Sequence, residues 1–117
     1  MVILEATGRR SGARHRTILI TASDQGNRYL VSVLGEASNW VRNVRAAGGQ
    51  ATIRHGRRRD VVLEEVPVDR RAPVLKAYLK WALGARRLFG VSHSAPVEEF
   101  EGIAAKHPVF RITPAGE

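Results

Sequence analysis

Val2-Ile3-Leu4-Glu5-Ala6-Thr7-Gly8-Arg9-Arg10-Ser11-Gly12 begins as a strand and ends as a turn. The aliphatic run predicts a short strand over residues 2–7. Two glycines then free the backbone over residues 8–12, and four or five amides of such a turn can point one way. Residues 17–22 and 29–33 are two more runs rich in β-branched and apolar side chains. Between them Ser23-Asp24-Gln25-Gly26-Asn27 has the composition of a hairpin connection. The three segments together predict antiparallel sheet.

Outward from that sheet, Ser38 is placed to cap a helix running to about residue 47, with Trp40, Val41 and Val44 on one face and Gly48-Gly49 as its stop. Residues 50–55 and 60–66 predict two further strands, joined by a turn at Gly56-Arg57-Arg58-Arg59. Asp69 is placed to cap a long helix ending near Gly84, with Val74, Leu75, Tyr78, Leu79 and Ala82 as its inward stripe and Pro73 in its first turn. Residues 86–94 show no regular pattern. Ser94-Ala95-Pro96 opens a third helix with Val97, Phe100 and Ala104 inward, His107-Pro108 ends it, and residues 109–113 form the last strand. Three strands, helix, two strands, two helices and a strand make an α+β domain, mainly antiparallel, spanning residues 1–117. That order favours an open sheet or barrel of about six strands with two or three flanking helices, and argues against a doubly wound parallel sheet.

Composition narrows the function. The chain has 117 residues, 44% of them hydrophobic and 26% charged, and no apolar run of the roughly 20 residues that a membrane-spanning helix needs. There is no cysteine, which excludes disulfides, thiolate metal sites and cysteine nucleophiles, and the amino end lacks the apolar stretch of a signal peptide. A cytoplasmic location is the resulting expectation. Residues 1–59 hold 11 basic and 3 acidic side chains, whereas residues 60–117 hold 8 of each, so the whole net charge of +8 belongs to the first half. Of the 19 basic residues 16 are arginine, whose planar fork of donors matches phosphate and carboxylate oxygens. This composition suits either an anionic ligand or a solvated arginine-rich face.

Tests for a side-chain catalyst come out negative. The turn at residues 8–12 is neither a nucleophile elbow nor a phosphate-binding loop of the Walker type, since it lacks the glycine–serine–glycine alternation of the one and the glycine–lysine pair of the other. His15, His55, His93 and His107 never fall at metal-ligand spacing with a carboxylate, so no metal site is expected. Glu98, Glu99 and Glu101 read as solvated helix charge. Such a chain is either not an enzyme or takes its reactivity from a bound cofactor, for which the protein supplies position and electrostatics. Arg9, Arg10, Arg14 and Arg16 near one glycine-flanked turn fit the second option. A nucleic-acid-binding module is the competing reading, but aromatic residues are only 6% and none lies between these arginines to stack on bases.

The run Thr7-Gly8-Arg9-Arg10-Ser11-Gly12, the segment from Ser32 to Gly35, and Trp40-Val41-Arg42-Asn43-Val44-Arg45-Ala46 occur in the order and spacing of a known family. In these, and over nearly its whole length, the chain resembles the deazaflavin-dependent nitroreductases, a branch of the flavin and deazaflavin oxidoreductases with a split β-barrel fold. The resemblance implies the 8-hydroxy-5-deazaflavin coenzyme F-420, its phosphate and oligoglutamate tail meeting Arg9, Arg10, Ser11 and Gly12. It places the ring near Gly35 and the helix of Trp40 and Asn43. Catalysis would then be hydride delivery from the ring to an electron-poor acceptor such as a quinone, a nitro compound or an activated alkene, with no catalytic side chain.

The chain departs from the family at several points. Arg14 and His15 stand where proline and arginine are frequent, so His15 or Arg16 takes the phosphate-facing position. Leu34 replaces a cofactor-facing lysine of some members, the loop between Gly35 and Trp40 is short, and only six residues precede the Thr7-Gly8 step, leaving no room there for a covering helix. Trp40 fits both a core position and a ring contact. Tyr78 reads as core, Trp81 as lining a pocket or a dimer contact, and Leu88, Phe89 and Val91 as candidates for burial at a homodimer contact. Three alternatives stand beside F-420: a reductase binding FMN, which shares the phosphate but lacks the glutamates; a non-enzymatic barrel that sequesters lipid, haem or a cofactor; and the nucleic-acid module.

Overall fold

A computed structural model describes residues 1–116. Seven strands form one sheet in which every neighbouring pair is antiparallel: β1 (Val2–Thr7), β2 (Arg14–Leu19), β3 (Thr21–Asp24), β4 (Asn27–Val31), β5 (Gln50–His55), β6 (Arg57–Glu65) and β7 (Val109–Pro114). Their order across the sheet is β2-β1-β5-β6-β7-β4-β3. The two edge strands, β2 and β3, are separated in the chain only by Ile20. Laid flat, they would stand roughly 29 Å apart, at about 4.8 Å per strand spacing. One residue cannot span that distance, so the sheet must curl until its edges approach each other. The result is the split barrel that the family resemblance implied.

The same bend explains a departure from the expected strands. Residues 17–22 read as one β-rich run, yet Ile20 divides it: Leu19 and the residues before it pair with β1, and Thr21 onward pairs with β4 on the opposite edge. Local β-propensity records that both halves are extended and says nothing about which neighbour each half finds. The arginines 57–59, expected in a turn, lie instead on β6 opposite His55, Arg54 and Ile53, leaving Gly56 alone at the bend.

Alternate positions on each strand face inward or outward. Val2, Leu4 and Ala6 of β1, Ala51 and Ile53 of β5, Val61 and Leu63 of β6, Leu30 of β4 and Phe110 of β7 make the inner core. Helix α1 (Asn39–Ala46) completes it with Trp40, Val41 and Val44, each worth about 1.5–3 kcal/mol when buried. Ser38 occupies the capping position, but its hydroxyl is bonded to Ser32 Oγ at 3.0 Å rather than to a helix amide.

A second core lies outside the sheet, over Ala22, Val31 and Val109. The long helix expected from residue 69 is broken: residues Val68–Arg70, with Asp69, form a tighter 3-10 turn, and α2 (Ala72–Tyr78) spans seven residues. Its inward stripe is as expected, with Val74, Leu75, Tyr78, Leu79 and Ala82 all buried. The segment after it, which showed no pattern in sequence, contains the single turn α3 (Arg86–Phe89). Phe89 is not a surface contact residue; it is buried between Tyr78 and His107, with ring centroids at 6.0 and 4.3 Å. Trp81 and Leu88 are 67% and 59% exposed. Helix α4 (Val97–Glu101) buries Phe100 and keeps Glu98, Glu99 and Glu101 in solvent.

An ion network ties α1 to the rest. Arg45 donates to both carboxylate oxygens of Glu36 at 2.7 and 3.1 Å and to Glu65 at 2.9 and 2.6 Å. Glu65 also receives the buried Arg71 at 3.1 Å, whose remaining donors reach Val66 O and Ala104 O at 2.8 and 3.0 Å. Arg71 therefore has a partner for each of these donors, the condition for a buried charge to be tolerated.

Candidate functional site

The turn between β1 and β2 closes on itself. Gly8 N donates to Ala13 O at 2.7 Å, Gly12 N to Gly8 O at 2.9 Å, and Ala13 N to the hydroxyl of Ser11 at 3.2 Å. Helix α1 holds the turn from outside. Asn43, only 4% exposed, accepts from the Arg9 amide at 3.1 Å and from Arg9 NH1 at 2.8 Å. One buried amide oxygen thus fixes both the backbone and the guanidinium of Arg9. The turn is also pressed against β2: a Cβ on Gly8 would lie 2.6 Å from His15 Nε2, so His15 stands over the turn only because residue 8 has no side chain.

Beneath the turn lies a cleft of about 450 Å³. Arg9, Arg10, Ser11, His15, Arg16, Trp40 and Asn43 all line it, seven of the nine residues singled out in sequence. Trp40 packs on Phe110 with centroids 5.6 Å apart, a core position, and also lines the cleft. Gly12 and Gly35 do not line the cleft. Gly12 closes the turn, and Gly35 is a buried bend whose carbonyl accepts from Ser32 Oγ at 2.7 Å. A Cβ on Gly35 would stand 2.9 Å from Lys106 O, so close packing accounts for that glycine. Leu4, Ala6, Thr17 and Asn39 also line the cleft and were not singled out. The register Leu4↔Thr17 and Ala6↔His15 sets four of these groups on one face, a pairing that single-strand patterns do not reveal.

The four arginines near the turn divide. Arg14 turns outward to Thr52 Oγ1 at 3.0 Å, and Arg16 Nε donates to Glu5 Oε2 at 3.1 Å. Glu5, 2% exposed, also has Arg58 NH2 2.9 Å from Oε1, close enough for charge pairing although the angle is poor for a hydrogen bond. Burial acts to raise the Glu5 carboxyl, but the Arg58 and Arg16 guanidiniums outweigh it and hold the group below its ordinary value of 4.5. Arg9 and Arg10 remain, with no carboxylate partner among the described residues. No Asp or Glu lines the cleft, so its potential is positive on the turn side, and Leu4, Ala6 and Trp40 give it an apolar wall.

The family described as F-420H(2)-dependent quinone reductase matches residues 1–97. The chain belongs to this family. It is accordingly a deazaflavin-dependent oxidoreductase whose coenzyme is F-420. Among solved structures, a domain-swapped dimer is 16% identical, with 96% of this chain and 78% of that one covered at a TM-score of 0.67. An F-420-H2 dependent reductase is 18% identical, with 96% and 92% covered at 0.61. A heme binding protein from Mycobacterium smegmatis is 16% identical, with 97% and 46% covered at 0.61. At these identities the quinone reductase family chain shares a fold with them, and the heme binding protein marks how little that fold alone decides about the ligand. No curated protein matches the sequence.

Proposed function

We propose that the cleft beneath the turn is where this reductase holds F-420, and that it passes hydride to a small electron-poor acceptor. One observation carries the reading: a cleft of about 450 Å³ combines Arg9 and Arg10, neither paired with a carboxylate among the described residues, and no acidic residue with an apolar, tryptophan-bearing wall. A flat tricyclic ring with an anionic tail has the same two-part chemistry. Arg9 and Arg10 would take phosphate and glutamate oxygens with forked, charge-assisted bonds, supported by the Ser11 hydroxyl and by the Arg10 and Ser11 amides, the two that the turn's bonds leave free among residues 8–13. Gly12 contributes by shaping that turn, and Gly35 by the buried bend that leads into α1. His15, standing over Gly8, and Arg16 form the side of the cleft toward β2.

Reduced F-420, when bound, supplies the hydride. The protein's part is to orient: Trp40, Leu4 and Ala6 offer an apolar surface, and Asn43 ties Arg9 to helix α1. The family supports a quinone as acceptor; nitro compounds and activated alkenes have the same electron deficiency and belong to the same proposal. FMN shares the ring shape and one phosphate but offers Arg10 no glutamate. We assign the enzyme to the cytoplasm on its cysteine-free composition, and a homodimer through the exposed Trp81 and Leu88 fits the dimeric neighbour.

The test is anaerobic titration with reduced F-420 and with FMN, followed by turnover of menadione. F-420 is expected to bind more tightly than FMN, and Arg9→Ala and Arg10→Ala each to weaken it by about 1.5–3 kcal/mol, roughly ten- to a hundredfold. Unchanged affinity in both variants removes the turn from the site. Binding without hydride transfer to any of the three acceptor classes would turn the barrel into a carrier of its coenzyme.

A further inference from the structure

At the end of the barrel away from the arginine turn, the inward positions of the strands stop being apolar. On β5 the inward residues run Ala51, Ile53, His55. On β6 the ladder sets Val61 opposite Ala51 and Arg59 opposite Ile53, so Arg59 and Arg57 continue the face that Leu63 and Val61 begin. On β4, Leu30 is inward and fully buried, and two residues before it the same face carries Arg28. Three guanidiniums therefore occupy positions that strand alternation assigns to core.

These side chains rim a second cavity, of about 380 Å³, with an apolar floor of Val2, Ile53, Val61 and Ile112. It shares no lining residue with the cleft under the turn. Arg28, Arg57 and Arg59 form no ion pair among the described residues, in contrast to their neighbour Arg58, which turns outward to Glu5. Arg28 has a neutral partner, Thr21 Oγ1 at 3.0 Å. Asp60, the one carboxylate at the cavity, accepts from Thr52 Oγ1 at 3.2 Å. His55 Nδ1 lies 2.9 Å from Met1 O, an atom that can only accept, so Nδ1 carries the proton there. The three arginines are exposed at the mouth of an apolar hollow, where their like charges favour an anion over a neutral ligand.

We infer that this cavity is a second binding site, for an amphipathic anion: a carboxylate or phosphate head among the three arginines and an apolar tail on the floor. The guanidinium fork accommodates either head.

The test is calorimetric titration of the whole chain with decanoate, decyl phosphate, decanol and inorganic phosphate, all below micelle formation. Decanoate or decyl phosphate is expected to bind, the tighter of the two naming the head group, with decanol and inorganic phosphate at least about tenfold weaker. The double variant Arg57→Gln, Arg59→Gln is expected to lose about tenfold or more of that affinity while F-420 titrates as before, and Arg28→Gln alone to lose less. Decanol binding as tightly as decanoate overturns the proposal, as does an unchanged affinity in the double variant. Stoichiometric displacement of the decyl anion by F-420 overturns it too, because the anion would then be in the cleft under the turn.

Discussion

Replacing Asn43 by alanine removes one oxygen and with it two hydrogen bonds, the 3.1 Å bond from the Arg9 amide and the 2.8 Å bond from its guanidinium. A neutral bond contributes about 1 kcal/mol net and a charged one about 1.5–3 kcal/mol, but Arg9 is exposed, so water screens and replaces part of the second. A loss of about 2 kcal/mol follows, or a fall in Tm of roughly 8 °C for a chain of this size. Thermal unfolding by circular dichroism reads the global effect, and hydrogen exchange at the Arg9 amide reads the local one, since that amide should exchange faster in Asn43→Ala. Asn43→Asp separates anchoring from electrostatics. Its carboxylate can accept from both donors and keep the turn in place, yet it sets a negative charge beside Arg9. Stability is expected near wild type and F-420 affinity well below it. An Asn43→Ala protein that melts within about 2 °C of wild type with an equally protected Arg9 amide would refute the claim that α1 holds the turn.

Gly49 has φ +86° and a virtual Cβ 2.6 Å from Leu63 O, so Gly49→Ala is expected to cost about 2 kcal/mol or more in urea unfolding; Gly26→Ala, with φ +80° but open space around it, should cost about 1 kcal/mol. Equal losses would show that the approach to β6 is not tight. Glu5 titrates below its ordinary value in the folded state, so its ion pairs with Arg58 and Arg16 contribute stability above about pH 4.5, and that contribution is lost as pH falls through the lower folded value. Unfolding midpoints measured between pH 7 and pH 3 should therefore fall more steeply for wild type than for Glu5→Gln, and parallel curves would contradict the pairing.

The helices and strands were legible wherever a local pattern coincided with a tertiary neighbour. The stripe Val74, Leu75, Tyr78, Leu79, Ala82 is inward in the structure because helical spacing reports burial directly. The length of that helix was not legible. It ends at Tyr78, and the chain then returns to set Phe89 between Tyr78 and His107, a contact that no local pattern contains. Ile20 is the sharper case. The residues on either side are good strand formers, and only the closure of the barrel requires the bend between them. Topology of this kind is a property of the whole sheet, which no window along the chain contains.

Arginine-rich sequence near a turn could not by itself say which guanidiniums serve it, because strand alternation sends neighbours to opposite faces. Arg14 and Arg16 have Thr7 and Glu5 as their cross-strand partners and bond Thr52 and Glu5, Arg16 still bordering the cleft, whereas His15 between them pairs with Ala6 and faces it. Arg9 and Arg10 lie in the turn itself, outside that alternation, and like Arg14, which bonds the Thr52 hydroxyl, they have no carboxylate partner among the described residues. The same rule operates at the opposite mouth with the reverse effect: Arg58 turns out to Glu5, while Arg57 and Arg59 turn in. Period two therefore sends Arg58 of β6 to an ion pair with Glu5 and sets its neighbours Arg57 and Arg59 at the mouth of the second cavity. A substitution that shifted β6 by one residue would exchange these roles. It would bury Arg58 and strand Glu5, and so should unfold the barrel before it altered any binding.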